Sequence, residues 1–70
     1  MGDIGLRAAK AVRHMAAENR TSIEFELDCC KVEKKRLYSW ENGADPCAFT
    51  LAEMLKNGYD IEYILLGEKK

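Results

Sequence analysis

A single proline, Pro46, interrupts the 70 residues, and only five are glycine. Long stretches are therefore without helix breakers. No run approaches the ~20 consecutive apolar residues of a membrane span, and the start MGDIGLRAAK has no apolar signal core. Leu6 stands where a myristoylation motif wants Ser or Thr. The expected compartment is the cytoplasm, with no membrane partner. His14 is the only histidine, and Cys29, Cys30 and Cys47 are an odd set of cysteines. Two adjacent thiols and a distant one lack the spacing of a zinc site or a disulfide framework. No metal and no cofactor are expected, and the thiols should be free and buried. Without an acid–base pair to activate them, they are not nucleophiles either. No catalytic residue is assigned, and an enzyme is not expected.

What is present describes an ordinary globular chain. Hydrophobic residues make up 47% and charged residues 33%, too apolar for disorder. A chain this short buries only ~60% of its unfolded surface. One domain over residues 1–70, with its core within about 4–67, is all it can hold, and no small-molecule ligand is expected. The net charge of −1 argues against a polyanionic partner, but the distribution is uneven. Residues 1–36 carry eight Lys/Arg against six Asp/Glu, and residues 37–70 three against six. A local basic face can bind phosphate whatever the total.

Apolar periodicity gives five short helices and no strand-like alternation. Ile4, Ala8, Ala11, Val12, Met15 and Ala16 follow a 3.6-residue period, with an end near Asn19-Arg20. Thr21-Ser22-Ile23-Glu24 reads as a capping box, opening a helix with Ile23, Leu27 and Cys30 on one side. Phe25 does not fit that stripe. The chain turns at Lys31-Val32, and Leu37 and Trp40 form the buried side of a third helix from about Glu33 to Asn42, stopped by Gly43. Pro46 suits the first turn of a fourth helix, which carries Cys47, Leu51, Met54 and Leu55 on one face. Asp60 caps a fifth helix, Ile61 to Leu66, and Glu68-Lys69-Lys70 is a frayed tail. The expected core is Val12, Leu27, Val32, Leu37, Trp40, Leu51 and Leu55.

The segment KVEKKRLYSWEN, Lys31 to Asn42, carries the chemistry. Lys34, Lys35 and Arg36 fall in the first turn of the third helix, where the helix dipole disfavours cations by ~0.3–1 kcal/mol each. Folding alone gives no reason to choose them there. Phosphates do, through counterion release, and Lys and Arg are the usual donors to guanine edges. The competing reading is a solvated basic face. Position favours the first, because a short helix, a tight turn and a second helix opening with exposed polar residues is the layout of a helix-turn-helix.

From Val12 to Gly67 the chain resembles the helix-turn-helix domain of the prokaryotic and phage Cro/CI (XRE-like) repressors. The resemblance is carried by Ser22, Val32, the run Leu37-Tyr38-Ser39-Trp40-Glu41-Asn42-Gly43, a following Pro, and the ending Ile-Glu-Tyr-Ile-Leu-Leu-Gly. It implies an all-α, five-helix, lambda-repressor-like fold. Lys34 and Lys35 would contact bases, Arg36 and Ser39 bases or backbone, Ser22 a phosphate from helix two, and Asn42 the backbone. Glu41 would be structural. Trp40 is expected in the core, and Tyr38 either faces DNA or packs on a neighbour. The sequence departs from the family at Lys31, where a glycine usually takes positive φ, and at Glu26, usually apolar, so that helix two could be rotated. Glu33 replaces a Ser-like cap, and Ala44-Asp45 lacks basic residues.

The expectation is a sequence-specific transcriptional regulator, in the manner of a repressor. It would bind double-stranded DNA as a homodimer, with Tyr59 to Leu66 either the dimer surface or internal packing. The alternative is an interaction module of the same fold, antitoxin-like or a phage regulator, with weak or no DNA binding.

Overall fold

A computed structural model describes residues 3–67, all the regular structure of which is helical. The expected tail, Glu68-Lys69-Lys70, lies outside the described residues. Helix α1 (Asp3–Asn19) is amphipathic, and its small residues Ala8, Ala9, Val12 and Ala16 are buried. The side chains on that stripe are short, so neighbouring helices approach closely. Helices α2 (Ile23–Cys29), α3 (Lys34–Glu41), α4 (Ala48–Lys56) and α5 (Ile61–Leu66) complete the chain. The core joins Ala8, Ala9 and Val12 of α1 to Leu27, Cys30, Val32, Leu37, Trp40, Met54, Tyr59 and Ile64. Among the described residues no helix is long and apolar enough to cross a membrane.

Five of the seven expected core residues are buried: Val12, Leu27, Val32, Leu37 and Trp40. Leu51 is partly buried against them. Leu55 corrects the expectation, standing 62% exposed. Its neighbour Met54 turns into the core instead, and Leu55, about 100° further round the helix, falls outside the buried arc. Cys47 is likewise not on an inner face. It is the exposed N-cap of α4 and leaves Pro46 buried in the loop ahead of the helix rather than in its first turn.

The start of α2 also differs from expectation. Ser22, not Thr21, is the N-cap, its Oγ accepting from Phe25 N–H at 3.0 Å. Thr21 Oγ1 donates instead to Glu26 Oε2 at 2.5 Å. Glu26 is only 5% exposed, and it also accepts from Asn19 Nδ2 and Tyr59 OH, each at 3.4 Å. A buried carboxylate needs such donors, and this demand takes the Thr21 hydroxyl away from capping. Helix α2 therefore buries Leu27 and Glu26 side by side, with Glu26 satisfied by hydrogen bonds. Phe25, on the opposite side, is 53% exposed.

Of the three thiols, only Cys30 is buried; Cys29 and Cys47 are exposed, which corrects the expectation for both. Burial pushes the Cys30 thiol up to about 11, with the neighbouring Cys29 and Glu26 adding to it. Cys47 is lowered, chiefly by its hydrogen bond with Thr50. Because the thiolate is the reactive form, we expect a maleimide or iodoacetamide at neutral pH to label Cys47 fastest. Cys30 should react only after denaturation. Mass spectrometry of the native protein checks this, and a labelled native Cys30 would contradict the packing around Tyr59.

Candidate nucleic-acid interface

Helices α2 and α3 are joined by Cys30, Lys31, Val32 and Glu33. Lys31 takes φ 60°, so the left-handed turn is kept without a glycine, at a cost of ~1–2 kcal/mol. Val32 N–H closes the turn onto Leu27 O at 2.9 Å, and the Val32 side chain is buried. Asn57 Nδ2 donates to Cys29 O at 3.0 Å, tying the end of α2 to the end of α4.

Glu33 is the N-cap of α3 by backbone geometry, with no side-chain capping bond. Leu37 and Trp40 point inward, at 1% and 2% exposure. Lys34, Lys35, Arg36, Tyr38 and Ser39 are all exposed on the remaining faces. Arg13 holds the other end, its guanidinium 2.9 Å (Nε) and 2.7 Å from Glu41 Oε2, which ties α1 to α3. That contact gives Glu41 a structural partner. Asn42 is the C-cap of α3 and donates from Nδ2 to Tyr38 O at 2.8 Å. Ser39 Oγ donates to Lys35 O at 3.2 Å. Ser22 is exposed at the start of α2, its oxygen engaged by Phe25 N–H.

The three cations are not equivalent. Lys34 Nζ lies 2.6 Å from Glu24 Oε2, and Lys35 Nζ lies 3.6 Å from Glu33 Oε1. Arg36 has no carboxylate partner among the described residues. The expectation that folding gives no reason for these cations is thus corrected for Lys34, and weakly for Lys35. Glu24 holds the Lys34 pKa above its ordinary value, with Tyr38 adding to it, and Lys34 in turn lowers that of Glu24. Both partners are about half exposed, so solvent screens the pair and it adds little to stability. It can be exchanged for another anion. Tyr38, 50% exposed beside Lys34, stands on the cationic face rather than packed inward.

Sequence reasoning missed Glu24. Its only trace there is a carboxylate ten residues ahead of Lys34, and that spacing becomes a contact only once the turn angle is known. A shallow depression of about 360 Å³ lies between Lys35, Arg36, Ser39, Trp40, Ala44 and Asp45, continuing the face beyond α3. A larger one, about 700 Å³, lies between α1 and the start of α5, flanked by Lys10, Arg13, Met15, Tyr59 and Tyr63. Among the described residues no His/Cys/Asp/Glu group could hold a metal.

At the C-terminal end, Tyr59 and Ile64 are core, leaving Leu65 and Leu66 at 41% and 64% exposure. Arg7 spans from α1 to Ile64 O at 2.9 Å and Leu65 O at 3.1 Å. Only part of the expected dimer surface is therefore available. No protein-family model, curated protein or solved structure matches the chain.

Proposed function

We propose that the chain is a sequence-specific DNA-binding regulator of the Cro/CI type. In this reading α2, the turn at Lys31 and α3 form a helix-turn-helix, and α3 enters the major groove. The observation that supports it best is the division of α3. Leu37 and Trp40 are sealed in the core, while Lys34, Lys35 and Arg36 crowd an exposed first turn. Such an N-terminal turn is what a groove-reading helix presents to base edges. Lys34 and Lys35 would read bases, Arg36 and Ser39 bases or backbone, and Ser22 and Asn42 the flanking phosphates. Tyr38 would lie against the duplex. A homodimer reading two half-sites would supply the affinity that one small module lacks, with Leu65 and Leu66 at its contact.

The reading is tested by binding to duplex DNA in rising salt, where affinity should fall by roughly one log-log unit per phosphate contact. Lys35→Ala should weaken specific binding by ~1–3 kcal/mol with the melting curve unchanged. Arg36→Ala, if its side chain meets only phosphate, should lower affinity on every sequence alike and reduce the salt slope by about one. Unaltered DNA affinity in both variants would remove the proposal.

A second reading, a protein-docking module of the same fold, is favoured by exposed Phe25, Phe49 and Leu55 and by the net charge of −1. It predicts partner binding that responds little to salt.

A further inference from the structure

Glu24 sits on the face assigned to DNA, where a carboxylate repels phosphates. An exposed ion pair adds little to stability, so stability does not account for its position. Its value lies in geometry. Lys34 Nζ and Glu24 Oε2 place a donor and an acceptor 2.6 Å apart, with side chains 50% and 57% exposed. In the major groove, guanine N7 and O6 are acceptors, and the adjoining cytosine N4 amino group is a donor. O6 and N4 are hydrogen-bonded to each other, about 2.9 Å apart. A donor–acceptor couple of nearly the same spacing complements that edge.

We infer that Glu24 and Lys34 act together as the reader of one G·C base pair in each half-site, Lys34 on guanine N7/O6 and Glu24 on cytosine N4. The inference rests on the DNA-binding reading above. The remaining pairs fit less well. A·T presents acceptor, donor, acceptor and then a methyl group, so with Glu24 on adenine N6 Lys34 keeps only N7, one acceptor where guanine offers two. A reversed C·G pair sets the carboxylate against two acceptors. The pair also explains why Glu24 is tolerated on a phosphate-facing surface: with Lys34 beside it, its charge is compensated until the base amino group arrives.

The test is selection of bound sites from random duplexes by the full chain, by Glu24→Ala and by Lys34→Gln, followed by titration of matched duplexes differing at one pair. Both residues are exposed, and circular dichroism confirms that the variants fold. For the wild type we expect a G·C position in each half-site, preferred roughly tenfold to a hundredfold over A·T. Glu24→Ala should bring that preference close to even. Lys34→Gln should move it toward adenine, which Gln contacts at N6 and N7. Should Glu24→Ala tighten binding to all sequences equally and keep the motif, the carboxylate is only a backbone repellent, and the paired reading is overturned. An identical motif in all three proteins overturns it too, while leaving DNA binding intact. If the wild type enriches no motif and binds no duplex at low salt, the DNA-binding reading itself fails.

Discussion

Replacing Trp40 by alanine is expected to lower Tm by at least ~12 °C, or to abolish the unfolding transition. The indole is 2% exposed and lies where α3 meets the small-residue stripe of α1. Truncating a buried aromatic to alanine costs ~3–5 kcal/mol, from lost transfer energy and the cavity left behind. A 70-residue domain has roughly 4–10 kcal/mol to lose, and each kcal/mol is worth about 4–8 °C at this size. The α1 members of the same core, Ala8, Ala9 and Val12, have short side chains with little reach to fill such a gap. Trp40 is also the sole tryptophan, so its own emission reports the result: blue-shifted in the native wild type and moving to the red on unfolding. Trp40→Phe should retain a cooperative transition at a lower Tm. A wild-type melting curve for Trp40→Ala would place the ring outside the core and undo the division of α3 into inner and outer faces.

Spacing alone was enough to locate the five helices, because each carries a short apolar repeat ended by a recognisable stop. Leu37 and Trp40, three apart, pointed inward from the pattern alone, and so did Val12 and Leu27. Where the pattern misleads, the reason is a tertiary demand that local spacing does not encode. In α4, Leu51, Met54 and Leu55 are equally apolar, but the buried arc runs through Glu53 and Met54 and leaves Leu55 outside. Glu26 looked like a misfit in an apolar position, yet Asn19 and Thr21 from the α1–α2 junction and Tyr59 from the loop before α5 converge on it. The Thr21 hydroxyl was consequently unavailable for the cap that its own neighbourhood suggested. The cationic turn of α3 was legible as a cluster, whereas the inequality among Lys34, Lys35 and Arg36 was not. That inequality depends on how α2 and α3 cross at Lys31, and it turns a uniform basic patch into one paired lysine and two less constrained cations.

The same kind of tertiary demand makes Gly5 the most informative position for a second stability test. Gly5 lies in the first part of α1, where intrinsic propensity alone would make Gly→Ala stabilising by ~1 kcal/mol. In the folded chain it is buried against the loop that follows α3. A Cβ there would overlap Ala44 O and come within 2.9 Å of Trp40 O. Both obstacles are backbone, so no flexible side chain can swing aside. Either α1 or the Trp40–Ala44 segment must shift. Overpacking of this kind costs ~1–3 kcal/mol or more, which exceeds the propensity gain. Gly5→Ala is therefore expected to lower Tm, by several degrees at least, and a bulkier Gly5→Val should lower it further. Thermal denaturation of the pair decides which force dominates. If Gly5→Ala raises Tm, helix propensity outweighs the steric clash, and the close approach of α1 to the end of α3 is not a constraint on the fold. If it lowers Tm, the absent side chain at Gly5 is what lets the end of α3 and the loop after it pack directly against α1.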